Sequence, residues 1–192
     1  MRRICLVIVA VVWAWGGMTA CKPGLLPTDA VGKPRITLER VEVVSLFPWA
    51  DLPARTALVL AFVLNIENPS GYNIMLDNIK FAYSFEVTPE YYVEMNIPVS
   101  YDRIYFPPNT TSQYRVVNTI DSAVIMGKLM VTQGAKLQAM GLKPLDVLKN
   151  WYAKIGDFSP TSFGIKVSEG MAVFSTGKED IFVPFEGKFP KK

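Results

Sequence analysis

The chain has 192 residues, half of them apolar, with 20 basic and 17 acidic side chains, two cysteines and no histidine. Without histidine there is no imidazole to activate a serine, ligate zinc or sense neutral pH. A formal charge of +3, carried by singly scattered Lys and Arg, lacks the concentrated basic surface that nucleic acid demands, and no glycine-rich phosphate loop is present.

Met1, Arg2 and Arg3 form a short positive stretch, and Ile4 to Trp15 follow without a charge, the pattern of an export signal. Gly16 and Gly17 break this run well short of the roughly 20 apolar residues that cross a bilayer, so cleavage is favoured over an uncleaved anchor. Met18-Thr19-Ala20-Cys21 then resembles the bacterial lipobox, with Met18 where leucine is usual. That resemblance implies cleavage between Ala20 and Cys21 and lipid transfer to the thiol; the alternative is an ordinary signal peptide with an incidental cysteine. The other cysteine, Cys5, falls inside the leader, so no disulfide partner remains for Cys21. Each buried methylene contributes about 0.8 kcal/mol, and two or more acyl chains make a stable anchor. The expected partner of Cys21 is therefore a lipid bilayer. Lys22, where aspartate would signal retention, resembles the pattern passed on to the outer membrane, facing the periplasm.

Residues 1–20 are thus read as leader and 21–34 as a tether rich in Pro and Gly. At about 3.1 Å per residue in polyproline geometry, the tether holds the folded part roughly 40 Å from the lipid. Residues 35–189 are read as one domain. Ile36 and Leu38 lie in the opposite phase from Val41 and Val43, which predicts a bulge near Glu39 and Arg40. Ala57 to Ile66 is apolar on both faces and belongs at the centre of a sheet. Phe81 to Val87 and Tyr91 to Val99 each alternate with period two about the turn Thr88-Pro89-Glu90, a hairpin whose core side would carry Tyr91, Val93, Met95, Ile97 and Val99. Further strands are expected at Ser112 to Ile120, Ser162 to Phe174 and Ile181 to Phe185. Between them, Asp121 to Met140 reads as a helix capped by Asp121 or Ser122 and closed by Gly141, weakened by Gly127 and Gly134. A second helix is expected from Pro144 to Ile155, with Leu145, Leu148, Tyr152 and Ile155 on one face and Trp151 flanking it. Two helices among about seven strands predict an antiparallel β-sandwich of immunoglobulin or fibronectin-III type, with a two-helix insertion before the last strands.

Asn68-Pro69-Ser70-Gly71 fits a type I turn, with Asn accepting a local hydrogen bond and Pro presetting φ. In context, VLNIENPSGYNIMLDNIKFAYSFEV resembles the core of the late embryogenesis abundant type 2 family, the Water stress and Hypersensitive response domain. That family places an Asn-Pro pair after an apolar strand, then a strand of spaced aliphatics, then an aromatic-rich strand. IYFPPNTTSQYRVVNTI and FGIKVSEGMAVFSTGKEDIFVPFEGKF resemble its later segments, so the likeness runs from about Ile36 to Phe189. Ser70 stands where a second Asn is frequent, and the helical region is longer than usual. The resemblance implies a non-enzymatic, fibronectin-like protein linked to desiccation and related stresses, with no cofactor.

Candidate chemistry is sparse. Glu86, Glu90 and Glu94 are spaced across the hairpin, but Glu86 and Glu94 fall on the polar faces, where a solvated surface is the natural reading. Among Tyr83, Tyr91, Tyr92, Tyr101 and Tyr105, the first two point to the core and Tyr92 is the expected exposed aromatic. Trp49, between Pro48 and Pro53, is a second possible binding residue in a loop. Asn109-Thr110-Thr111 is assigned only a turn. The expected function is a membrane-anchored, stress-protective envelope lipoprotein. The alternatives are an interaction module docking an envelope protein and, least favoured, an enzyme built on a carboxylate or Ser-Lys site.

Overall fold

The computed structural model describes residues 32–46, 56–156 and 164–190; Ala20, Cys21 and Trp49 lie outside them. Two antiparallel sheets face each other across an apolar core, and helices enter between the seventh and eighth strands. The mainly-β sandwich with a helical insertion before its last strands is the architecture expected from the sequence.

The first sheet is β1 (Arg35–Leu46), β2 (Ala57–Asn68) and β7 (Thr110–Asp121), in the order β1-β2-β7. Being central, β2 is buried on both sides: Leu58, Leu60, Phe62, Leu64 and Ile66 face the core, and Ala61 and Val63 are covered on the outer side. Arg40 and Arg115 lie in register beside Val63, and both pair with Glu42, at 2.7 and 2.8 Å. The predicted bulge is present, as a register shift between Leu38 and Arg40. It lets Ile36 and Leu38 be buried while Val41 and Val43, in the other phase, still pack on the core.

The second sheet is organised by β3 (Ile74–Thr88), which pairs along one edge with β8 (Ile165–Ser175), itself paired to β9 (Asp180–Phe189). Its other edge is shared in turn by β6 (Ile104–Phe106), β5 (Val99–Ser100) and β4 (Tyr91–Asn96). The aliphatic and aromatic segments that the sequence resemblance separates are therefore one continuous strand of 15 residues. Phe62 binds the sheets together, its ring 5.0 Å from that of Phe81 and 4.9 Å from that of Tyr83.

The first expected helix is broken. Asp121 caps α1 (Ser122–Gly127) by accepting from the Ala123 amide at 2.7 Å, a π turn spans Lys128–Thr132, and α2 (Gly134–Ala139) follows. Glycine costs about 1 kcal/mol relative to alanine inside a helix, and Gly127 and Gly134 flank the irregular turn. The interruption preserves burial, since Ile125, Leu129 and Leu137 all reach the core. Gly141, at φ 72°, closes α2 in the left-handed region, and the Leu142 amide donates back to the Leu137 carbonyl.

The second helix, α3 (Pro144–Gly156), is where expected, but its buried face is turned toward Val147 and Trp151, with Leu145 only half-buried. The Trp151 indole donates to the Glu86 carbonyl at 2.6 Å and meets Phe85 edge-on at 5.4 Å. Tyr152 donates to the Thr56 carbonyl at 3.0 Å. Burial, and then the charge of Asp121, push its phenol up to about 12. A raised phenol stabilises the fold fully below the unfolded value of 10.0, and that contribution is lost as pH rises through about 12. Tyr152→Phe is expected to flatten the alkaline fall in the urea midpoint across that window; an unchanged slope counts against this account.

Candidate functional site

Asn68 is a structural hub. Its side chain is fully buried; the amide donates to the carbonyls of Tyr72 (2.8 Å), Phe106 (3.0 Å) and Pro107 (3.0 Å). Its Oδ1 accepts from the Ser70 amide at 3.1 Å and hydroxyl at 2.6 Å. The local acceptance is the one read from the sequence; the long-range donors were hidden because their partners lie 38 and 39 residues away. Asn109 completes this corner with φ 53°, a value Asn tolerates, and its amide donates to the Ser70 carbonyl. Of Asn109-Thr110-Thr111, expected as a turn, only Asn109 lies in one; Thr110 and Thr111 already belong to β7, paired with Asn68 and Glu67. Pro69 sits exposed in the turn, where its fixed φ costs nothing.

The three carboxylates of the hairpin do not converge. Glu86 is opposite Tyr92 and accepts from its hydroxyl at 3.1 Å; Glu94 approaches Lys128 at 3.5 Å; Glu90 accepts from Thr88 at 3.4 Å. Among the described residues no three acidic, His or Cys side chains gather as a metal site. Tyr92 is half-buried rather than free. Lys188 lies 5.3 Å from its ring centroid, and together they line an open groove of about 490 Å³ with Pro89, Gly164 and Phe189. Burial, and then the bond and charge of Glu86, raise the Tyr92 phenol above its ordinary value. A β-carbon at Gly164 would meet the Glu86 carboxylate and the Tyr92 hydroxyl, so both side-chain ends would have to move aside.

Among the tyrosines the exposed ones are instead Tyr101 (76%) and, in β6, Tyr105 (67%); a register change turns the segment that leads to Tyr101 outward. Tyr83 pairs with Asn96, but Ser84 pairs with Glu94, so Met95 is an extra residue in β4. One extra residue moves every later side chain to the other face. Asn96 and Pro98 therefore turn inward, while Ile97, Val99 and Tyr101 turn to solvent, against the expected core placement of Ile97 and Val99.

Polar contacts to β7 hold this inverted segment. Asn96 donates to Asn118 Oδ1 at 3.2 Å, and the same oxygen accepts from Tyr83 at 2.9 Å. Tyr114 donates to Asp102 at 2.9 Å, with Ser100 Oγ 2.7 Å from its hydroxyl. Burial chiefly keeps the Tyr114 phenol above its usual value, so it remains a donor across the neutral range. The outcome is that Ile97, Val99 and Tyr101 are exposed along the edge of the second sheet with polar contacts behind them, and Ile104 and Tyr105 of β6 are exposed further along that edge. The uninterrupted alternation from Tyr91 to Val99 gave no sign of it.

No protein-family model matches the chain, and no curated protein matches it in sequence. Among solved structures it is similar to a Northeast Structural Genomics Consortium target, at 10% identity and a TM-score of 0.41, covering 83% of this chain and 87% of that one. It is also similar to a protein from Archaeoglobus fulgidus, at 12% identity and a TM-score of 0.37, covering 81% of this chain and 98% of that one.

Proposed function

We propose that this protein is an envelope lipoprotein, tethered through acylated Cys21, with a non-catalytic role in protecting other proteins when water is scarce. The observation that carries this reading is the exposed edge on which Ile97, Val99 and Tyr101 are turned outward by the bulge at Met95, backed by Tyr114 and Asn118, with Tyr105 exposed in the next strand. A protein that limits aggregation must offer apolar surface to partly unfolded chains without itself collapsing. A rigid edge bearing two exposed tyrosines meets that requirement. The sequence resemblance to the late embryogenesis abundant type 2 family supports the link to desiccation. An outer-membrane site facing the periplasm follows from Lys22.

The same edge favours a second reading, an interaction module docking one envelope protein. A photo-crosslinker at position 101 separates the two: many products that increase on drying support protection, and one constant product supports a dedicated partner. The double substitution Tyr101→Ser and Tyr105→Ser is expected to leave the unfolding free energy within about 0.5 kcal/mol of the parent, because both side chains are exposed. It should nevertheless lower survival of dried cells to that of a deletion strain. Survival equal to the parent, in either strain, refutes the protective reading.

A further inference from the structure

The helical insertion has an outer face that its fold leaves uncovered. Ile125, Leu129 and Leu137 point into the core, whereas Val124 (60%), Met130 (61%) and Val131 (88%) are exposed on the opposite side of the same helical run. Gly127 and Ala135, both uncharged, are exposed as well. Residues 122–156 hold five lysines, at 128, 136, 143, 149 and 154, against one acid, Asp146. This segment therefore carries +4, while the whole chain carries +3, so everything outside it sums to −1. Among the described residues, only Lys128 of the five pairs with a carboxylate, and at 3.5 Å. Lys136 sits over the Tyr91 ring, 3.8 Å from its centroid.

Exposed large aliphatics on a basic helical segment are the composition of an element that rests in a membrane interface. A protein partner would need acidic groups around an apolar socket; a bilayer with anionic headgroups supplies both features without a matched shape. Charge decides the kind of bilayer, because each lysine near an anionic surface contributes about 1 kcal/mol, an attraction that falls off within a Debye length. We propose that the outer face of α1, the π turn and α2 docks on an anionic phospholipid surface, so that the insertion lies against the bilayer. The inference rests on the lipid-anchored reading only for bringing a membrane within reach.

The experiment is hydrogen exchange of the full chain mixed with phosphatidylglycerol vesicles and, separately, with phosphatidylcholine vesicles. Peptides covering 122–142 are expected to exchange about tenfold more slowly with the anionic vesicles, to lose that protection in high salt, and to be unchanged with the neutral ones. Val131→Asp, at a position too exposed to disturb folding, should remove the protection while leaving the exchange of β2 and β3 as in the parent. Equal exchange of 122–142 with and without anionic vesicles overturns the proposal, as does full protection of the Val131→Asp protein. The anchor is judged separately, by the mass at Cys21. Protection in a chain with an unmodified thiol keeps the docking and removes the anchor, and an acylated chain without protection does the reverse.

Discussion

Replacing Asn68 with alanine is expected to lower unfolding stability by about 3–5 kcal/mol, one of the two largest losses we anticipate from a single side chain. The amide serves three carbonyls, and the Ser70 amide and hydroxyl both lean on its oxygen. Each buried polar group left without a partner costs about 1–3 kcal/mol, and partial relaxation or water entry keeps the total below the full sum. For a chain of this length, about 1 kcal/mol moves the melting temperature by roughly 2–4 °C, so a fall of about 10 °C is expected. Asn68→Asp tests the donor directly. It keeps the shape and the acceptor but turns an oxygen toward three carbonyl oxygens, so at neutral pH it should be at least as damaging as alanine. Partial recovery in acid should follow, since a protonated carboxyl regains one donor. Chemical denaturation of both variants reads this out, and an Asp variant as stable as the parent would mean the three donated bonds contribute little.

Trp151→Ala is the second large effect, about 3–5 kcal/mol for removing a buried indole from a packed core. Trp151 joins α3 to β3 through the Glu86 carbonyl and the edge of Phe85, so its loss should loosen the insertion more than the sandwich. Hydrogen exchange is expected to speed up in α3 and α1, which pack together, before it does in β2. Trp151→Phe retains most of the apolar contact and gives up the hydrogen bond, a loss of about 1 kcal/mol plus a small cavity. Equal effects of the two substitutions would show that the indole hydrogen bond, not packing, fixes the helix.

Local periodicity carried most of the architecture. Leu58 to Ile66 is apolar on both faces because a central strand is covered twice, and the bulge near Arg40 was legible because the apolar phase changes across it. The bulge at Met95 likewise inserts one residue and left no trace. Tyr91, Val93, Met95, Ile97 and Val99 keep one rhythm through it, so a pattern of apolar residues reads as continuous core while the chain turns the last two outward. Tyr92 was expected to be free, but its opposite number in the ladder is Glu86 and Lys188 closes over its ring. In α3, several overlapping apolar stripes are available, and only the position of β3 selects the one centred on Trp151.

The inversion at Met95 also explains how one fold keeps a stable core and a displayed surface together. Asn96, Ser100 and Asp102 occupy polar contacts to β7 that an ordinary strand would fill with aliphatics. Those bonds hold Tyr101 and its neighbours in one geometry, so exposure does not require a disordered loop.

The central claim is that a lipid on Cys21 holds this sandwich at a membrane, and the most direct measurement is the mass of the N-terminal peptide from protein isolated with cell envelopes. The account predicts a chain that begins at Cys21, is heavier by its acyl chains, and fails to incorporate a fatty-acid analogue once Cys21→Ala is introduced. An intact leader or an unmodified thiol, in protein recovered freely soluble, would contradict it.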